Sequence, residues 1–181
     1  MKYVKPESFE IASKLLLDEP GISRILSGGT DVLVQLKAEM VEPDLMIDLK
    51  HLSGMKDIVE ENGGYRIGAA VAGAVLGEHS GVLAMWPGVV EAMELIGSTQ
   101  VQGRATLAGN LCNGSPAADS VPAMVAANAI ARVFGPKGAR DVAVSEIPTG
   151  PGKTSLAKGE FITSIFLPAR PKRSSDAYLR F

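Results

Sequence analysis

Apolar residues in the first part of the chain switch between short runs and helical spacing. Three runs bounded by proline, glycine or charged residues predict strands: Tyr3–Lys5, Ile22–Leu26 and Leu45–Leu49. Two stretches with helical spacing lie between them, one following Ser8 as its N-cap and the other covering Asp31–Met40. This order predicts a compact βαβαβ-like unit.

The pattern beyond this unit predicts hairpins and separate helices. The turn Asn62-Gly63-Gly64 lies between the predicted strands Asp57–Glu61 and Tyr65–Ala69. A second hairpin and a last strand are predicted over Ala129–Phe134, Arg140–Val144 and Phe161–Leu167. Helical spacing predicts two helices, Ala74–Ala84 and Pro87–Ile96. Strands joined by hairpins, with the helices segregated from them, indicate an α+β fold.

We therefore expect two α+β subdomains, covering residues 1–52 and residues 53–170. Residues 171–181 belong to a connector rich in proline and charge, and its last part, Asp176–Phe181, has the pattern of a strand. We expect that strand to open a further C-terminal domain.

The composition is that of an ordinary globular protein, with 46% hydrophobic and 21% charged residues. The net charge is −2 and Lys and Arg are scattered, which argues against a nucleic-acid-binding surface or a polybasic membrane patch. No apolar run reaches the roughly 18 residues that a membrane-spanning helix needs. The N-terminus lacks the apolar segment of a signal peptide, so we expect a cytoplasmic protein.

Several residues that often carry chemistry lack the partners that the chemistry needs. The single cysteine, Cys112, excludes an internal disulfide and an iron–sulfur cluster ligated by this chain alone. It has no basic neighbour, which favours a small buried packing residue over a redox thiol. His51 and His79 lack the spacing of a zinc site and are expected at the surface or in loops. The segment GPGKTS, residues 150–155, lacks the preceding Walker glycine of an ATP-binding loop.

Two loops rich in glycine and small residues are the candidate binding elements. The first, Leu26–Asp31, follows a predicted strand and opens a predicted helix. Its paired glycines, Gly28 and Gly29, permit positive φ and let successive N–H groups converge on a phosphate. Thr30 adds a hydroxyl, whereas Asp31 would repel a phosphate and is expected to cap the helix or point outward. An ordinary turn with an N-cap explains the same residues, and neither the Rossmann nor the P-loop fingerprint is present.

The second loop offers a hydroxyl, small residues and an amide at Thr106, Ala108, Gly109 and Asn110. Small residues let a ligand lie against the main chain, and the Asn110 amide both donates and accepts hydrogen bonds. Asp119 is expected to bind a ribose or other hydroxyl-bearing group, or equally to be the N-cap of a helix over Ser120–Asn128. Two such loops without an adjacent catalytic base predict a site for a large phosphorylated cofactor.

A longer succession of motifs resembles one known family. The chain contains, in this order, ILSGGTDVLVQLK, LMIDLKHLSGMKDI, YRIGAAV, ELIGSTQVQGRATLAGNLCNGSPAADSVPAM and FITSIFLP. It resembles, over nearly its whole length, the FAD-binding flavoprotein subunits of the molybdenum hydroxylases, the group of xanthine dehydrogenase and aerobic carbon monoxide dehydrogenase. The resemblance implies an FAD-binding fold of the vanillyl-alcohol-oxidase (PCMH) type, with two α+β subdomains and FAD between them.

The resemblance also implies a set of cofactor-binding residues. In the first loop these are Ser27, Gly28, Gly29, Thr30, Asp31, Val32 and Leu33. In the second loop they are Thr106, Leu107, Ala108, Gly109 and Asn110, followed by Ser115 and Asp119. Contacts to flavin or adenine fall on Ile96 and Ile162, and a basic residue near the flavin edge falls on Arg180.

Two positions depart from the family pattern. Gln102 and Gly103 stand where a basic residue and an Asn are common, with Arg104 one step further on, which predicts a lost or shifted contact. Ala108 replaces a common glycine, so the approach of a phosphate must tolerate one methyl group.

The implied function is electron transfer within a heterotrimer that can itself be doubled. Electrons from two [2Fe–2S] clusters on a small partner subunit pass through FAD to a terminal acceptor, and a large partner subunit carries the molybdopterin. This chain then supplies binding and orientation, with no catalytic acid or base and no metal ligand.

Two other functions stay open on the residues alone. A flavin-free docking domain of the same kind of complex would use exposed apolar residues such as Met40, Met55 and Met85, although helical spacing favours core positions for them. A nucleotide-binding oxidoreductase acting alone would need an acid–base constellation that the sequence lacks.

Overall fold

The computed structural model of the chain describes residues 1–180. The strands are β1 Lys2–Val4, β2 Ser23–Leu26, β3 Leu45–Asp48, β4 Ile58–Glu61, β5 Gly64–Gly68, β6 Ile130–Gly135, β7 Gly138–Ala143, β8 Pro148–Gly150, β9 Lys153–Thr154 and β10 Phe161–Leu167. The helices are α1 Phe9–Asp18, α2 Val32–Lys37, α3 Gly73–Glu78, α4 Ser80–Met85, α5 Pro87–Glu94, α6 Thr99–Gln102, α7 Leu107–Asn113 and α8 Ser120–Ala126, with a 3₁₀ turn at Val144–Glu146. The α+β class predicted from the sequence is confirmed.

The N-terminal elements form a parallel three-stranded sheet in the order β1-β3-β2. All four residues of the central strand β3 are buried, and a parallel strand covered on both faces is expected to read as an apolar run. The Ser8 hydroxyl caps α1 by accepting a hydrogen bond from the Ile11 N–H. The predicted βαβαβ order is thus confirmed.

The second sheet is antiparallel, with the order β4-β5-β10-β6-β7. The hairpin between β4 and β5 turns at Asn62 and Gly63, whose φ angles are 51° and 74°. Two successive positive φ angles characterise the type I′ turn that Asn-Gly favours, because its twist matches that of the flanking strands. Both predicted hairpins and the predicted last strand are confirmed.

One hydrophobic core joins the two sheets. Phe9 of α1 packs against Phe134 and Phe161 of the antiparallel sheet, with ring centroids 5.6 and 5.9 Å away. Beside them, the buried Ser13 hydroxyl donates to the Gly159 carbonyl oxygen at 2.8 Å. The N-terminal unit therefore rests on the second sheet, and the division between residues 52 and 53 stays a prediction.

The three methionines that were predicted to lie in the core differ in their burial. Met55 is a core residue, 1% exposed, and Met85 packs against the core. Met40 is 76% exposed, so the core prediction is wrong there. It follows the end of α2, where Glu39 has a φ of 54° and the chain leaves the helix three residues before the predicted end at Met40.

The single helix predicted over Ala74–Ala84 is wrong. The helix is interrupted at His79, which lies between α3 and α4 and has an extended backbone with a ψ of 98°. The His79 Nδ1 accepts a hydrogen bond from the Val82 N–H at 3.2 Å and so caps the second helix. Apolar spacing continues across the break, so periodicity alone could not reveal it.

The strand predicted over Asp176–Phe181 is also wrong for residues 176–180, while Phe181 lies outside the described residues. This segment lies along α5 instead. The Asp176 carboxylate accepts a hydrogen bond from the Gly88 N–H at 2.6 Å, and the Tyr178 N–H donates to Glu91 Oε2 at 2.9 Å. A strand needs a sheet edge to pair with, and in residues 1–180 this segment pairs with none.

Candidate functional site: a cleft between two glycine loops

A cleft of about 650 Å³ lies where the two loops meet. This volume falls within the roughly 300–1,000 Å³ that is usual for ligand pockets. Twelve of the predicted site residues line it: Ser27, Gly28, Gly29, Thr30, Asp31, Val32, Ile96, Thr106, Ala108, Gly109, Asn110 and Ile162. The chain thus brings two loops that are far apart in sequence onto one surface.

Five other predicted residues, Leu33, Leu107, Ser115, Asp119 and Arg180, do not line the cleft. Leu33 lies on α2 and is 44% exposed. The Ser115 hydroxyl accepts a hydrogen bond from the Ala117 N–H and closes a local turn. Arg180 Nη1 donates to the Leu95 carbonyl oxygen at 3.1 Å and lies 3.4 Å from the Asp119 carboxylate. Whether these residues contact FAD stays a prediction.

Asp119 occupies the predicted N-cap position of α8, but its side chain makes no capping hydrogen bond to the helix. The helix ends at Ala126, two residues before the predicted Asn128. Asn110 acts in its place, because its Oδ1 accepts hydrogen bonds from both the N–H and the hydroxyl of Ser120, at 3.2 and 2.7 Å. The Asn110 side chain therefore joins the second loop to α8.

The hydroxyls of Ser27 and Thr106 hold the two loops together. Ser27 Oγ donates to the Ala69 carbonyl oxygen at 2.8 Å and lies 3.3 Å from Thr106 Oγ1. Because the Ser27 proton is committed to Ala69, Thr106 is the donor between the two hydroxyls. Thr106 Oγ1 also accepts from the Gly109 N–H at 2.9 Å and so caps α7. Neither hydroxyl is left free for a ligand.

Main-chain amides remain available instead. Within residues 1–180, the N–H groups of Gly29, Thr30 and Asp31 in the first loop have no hydrogen-bond partner, nor do those of Leu107 and Ala108 in the second. The Asp31 carboxylate makes no capping hydrogen bond to α2, and the residue is exposed. This agrees with the second of the two predictions for Asp31, that its side chain points outward. Unpaired N–H groups at the meeting point of two loops suit the oxygens of a phosphate.

Glycine is required where the two loops touch. A Cβ atom on Gly28 would overlap the carbonyl oxygen of Arg104 and lie 2.8 Å from its carbonyl carbon. Gly29 has a φ of 81°, a conformation that side-chain-bearing residues rarely adopt. The close approach to Arg104 is therefore possible only without a side chain at Gly28, and the turn itself needs the positive φ that glycine allows at Gly29.

The sequence interpretation missed one wall of the cleft. Gly152 and Thr154, in the segment set aside as a false phosphate loop, line it together with Leu16, Ile25, Leu156, Lys158, Gly159, Glu160 and Phe161. The Gly152 N–H donates to the Gly114 carbonyl oxygen at 3.0 Å, which attaches this segment to the end of α7. The signal that could have found it is the cluster Gly150, Gly152 and Gly159, all with positive φ.

The Glu160 carboxylate on this wall is held in its charged form. Arg140 binds it through two hydrogen bonds of 2.8 Å, and the Ala157 N–H adds a third. The Arg140 side chain holds the pKa of Glu160 below its usual value. The carboxylate is therefore a structural partner and has no proton to exchange near neutral pH.

Cys112 also lines the cleft, and the residue is exposed by its accessible surface. The prediction of a buried packing residue is therefore wrong. The cleft walls desolvate the thiolate form and raise the pKa of the thiol to about 12. At neutral pH the side chain is a neutral thiol in the wall of the cleft.

A comparison with protein families identifies the family of the chain. A profile of the family described as the FAD binding domain in molybdopterin dehydrogenase matches residues 1–170. The chain belongs to this family. The resemblance noted from the motifs is confirmed, and with it the α+β FAD-binding fold and FAD as the cofactor.

Individual relatives agree with the family. The chain is 33% identical over 171 residues to the xanthine dehydrogenase FAD-binding subunit of Escherichia coli O157:H7, a match that covers 94% of this chain and 58% of that protein. It is 30% identical over 176 residues to the carbon monoxide dehydrogenase medium chain of Afipia carboxidovorans, covering 97% and 61%. Reconstituted CO dehydrogenase from Oligotropha carboxidovorans superposes with a TM-score of 0.89 at 30% identity, covering 94% and 60%. The chain thus spans about three fifths of the length of these relatives.

The residues present fit an FAD. The cleft has room for a dinucleotide-sized ligand, and its loops offer unpaired N–H donors without side chains that would fill the space. Within residues 1–180, no group of three or more His, Cys, Asp or Glu side chains could hold a metal ion. The same described part of the chain has no helix long and apolar enough to cross a membrane.

Proposed function

We propose that this chain is the FAD-binding electron-transfer subunit of a molybdopterin-dependent hydroxylase or dehydrogenase. The observation that carries the proposal is that two loops, tied together by the hydrogen bonds of Ser27 and Thr106, bring residues with unpaired N–H groups to the wall of one cleft. A dinucleotide has two linked phosphates, and two such amide groups are suited to hold them.

Each part of the cleft has a proposed role in binding. The amides of Gly29, Thr30 and Asp31 and those of Leu107 and Ala108 hold the pyrophosphate. Ile96 and Ile162 give apolar contact to the rings, as do Leu16, Ile25 and Phe161 at the other wall. Asp119 and Arg180 lie outside the cleft and hold each other, so we propose that they act at its rim.

The proposed chemistry belongs to the cofactor and the protein supplies its placement. Electrons from [2Fe–2S] clusters on a small partner subunit reach a terminal acceptor through the bound FAD, while a large partner subunit holds the molybdopterin. The names of the relatives, which are subunits or medium chains of dehydrogenases, support this division of labour. We further propose a cytoplasmic heterotrimer, which can pair into a dimer of heterotrimers.

The two predicted subdomains remain part of the proposal. Residues 1–52 contain the parallel sheet and the first loop, and residues 53–170 contain the antiparallel sheet and the second loop. Residues 171–180 run along α5 toward Arg180. This arrangement supports a cofactor that lies between two subdomains.

Cys112 provides a test of where the cofactor lies. We expect saturating FAD to slow alkylation of Cys112 by iodoacetamide at least about tenfold, because the ligand would cover an exposed thiol in the cleft wall. Without FAD, the rate should still rise between pH 9 and pH 10, because alkylation needs the thiolate and the raised pKa keeps the thiol protonated there.

Mass spectrometry of the intact chain measures both rates, since Cys112 is the single cysteine. The control is riboflavin, which lacks the pyrophosphate and adenosine and should protect little. Equal alkylation rates with and without saturating FAD would place the cofactor elsewhere. A rate that levels off below pH 9 would contradict the raised pKa.

A further inference from the structure

The first loop touches the segment just before the second loop, at a contact between Gly28 and Arg104. Arg104 Nε donates a hydrogen bond to the Gly28 carbonyl oxygen at 3.0 Å. The main chains approach so closely here that a Cβ on Gly28 would overlap the Arg104 carbonyl oxygen. Arg104 therefore holds one particular carbonyl of the first loop, and its guanidinium does not line the cleft.

The direction of this carbonyl fixes the direction of a neighbouring amide. The peptide bond between Gly28 and Gly29 is trans, and in a trans peptide the C=O and the N–H point in opposite directions. The Gly28 carbonyl points toward Arg104, which lines a separate pocket of about 350 Å³ together with Lys50 and Lys56. The Gly29 N–H therefore points away from Arg104; Gly29 lines the cleft, where Arg104 is absent, and its N–H has no partner within residues 1–180.

Nothing in the local sequence would hold this peptide in place. Glycine populates positive and negative φ about equally, so the peptide between two glycines can rotate at little cost. A rotated peptide would turn its carbonyl oxygen, which carries negative partial charge, toward the phosphate. The hydrogen bond from Arg104 opposes that rotation, and a bond from a charged donor is stronger than one between neutral groups.

We propose that Arg104 is a positioning residue that keeps the Gly28–Gly29 peptide oriented with its N–H toward the pyrophosphate of the cofactor. The proposal rests on the proposed FAD site and adds a residue that acts through the main chain without touching the ligand. The proposal also gives a role to Arg104 itself, which directly follows Gln102 and Gly103, the two positions that depart from the family pattern.

The test compares Arg104→Met with Lys56→Met in the full chain. Both variants remove one positive charge from the same pocket, but only Arg104 is hydrogen-bonded to the turn. By isothermal titration calorimetry, we expect Arg104→Met to bind ADP about tenfold more weakly than the wild type, and Lys56→Met to stay within about threefold. Adenosine, which has no phosphate, should bind equally to all three chains.

A second readout requires no ligand. In ¹H–¹⁵N spectra of the chain without nucleotide, the Gly29 amide resonance should shift or broaden in Arg104→Met and stay unchanged in Lys56→Met. An Arg104→Met chain that keeps its melting temperature, its Gly29 resonance and its ADP affinity would overturn the inference. Equal weakening in both variants would also overturn it, because charge alone would then explain the effect. A wild-type chain that binds neither FAD nor ADP would instead refute the proposed function, and the role of Arg104 toward a pyrophosphate with it.

Discussion

A Gly28→Ala chain is expected to bind FAD about a hundredfold more weakly than the wild type. The added methyl group would overlap the main-chain carbonyl of Arg104, and a main chain cannot move aside as a flexible side chain does. Relief requires the two loops to separate, which would stretch the hydrogen bond that Arg104 donates to Gly28 and the one that Thr106 donates to Ser27. The amides of the two loops would then no longer face one phosphate pair. Flavin fluorescence quenching measures the affinity directly.

Gly103→Ala is the matched control. Gly103 lies one residue from Arg104, and a Cβ there would have its nearest neighbour, the Gln100 carbonyl oxygen, at 3.6 Å, an ordinary contact distance. We expect this variant to bind FAD like the wild type. If Gly28→Ala also binds FAD normally while keeping its fold, the close approach of the loops is not what forms the site.

A Phe161→Ala chain is expected to lose about 3–5 kcal/mol of the free energy of unfolding. Phe161 is 1% exposed and its ring packs against Phe9 and Phe134, with centroids 5.9 and 6.0 Å away. The truncation removes buried apolar surface and leaves a cavity where α1 meets the antiparallel sheet. Because Phe161 also lines the cleft, FAD affinity should fall together with stability. Urea denaturation followed by circular dichroism measures the loss.

Phe161→Leu is the corresponding control, since it keeps most of the buried volume and should lose clearly less than the alanine variant. A loss below about 1 kcal/mol for Phe161→Ala would contradict a core shared by the two sheets. The N-terminal unit would then be held to the second sheet by other contacts.

Much of the fold could be predicted because it depends on local signals. The Asn62-Gly63 turn fixes a hairpin by its own backbone preferences, and the apolar run of β3 indicates a strand buried on both faces. The predictions failed where contacts with residues distant in sequence determine the local structure. The chain leaves the helix at His79 although the apolar spacing continues, and Asp176 binds the first turn of α5 where a strand was predicted.

The same distinction applies to the site. Gly28 and Gly29 could be identified from the sequence, because close main-chain approach and positive φ both favour glycine. The role of the Thr106 hydroxyl could not be predicted from the sequence, because Ser27 lies beside it only in the folded chain. There both hydroxyls form hydrogen bonds within the protein. The exposure of Cys112 and the position of Thr154 in the cleft wall likewise depend on how distant segments pack.

If these two loops form one FAD site, the purified chain should bind one FAD per chain in a titration. We expect saturable binding, seen as quenched flavin fluorescence and perturbed flavin absorbance bands, with ADP competing for the same site. Absence of binding with FAD in excess, or binding that ADP does not displace, would contradict this expectation.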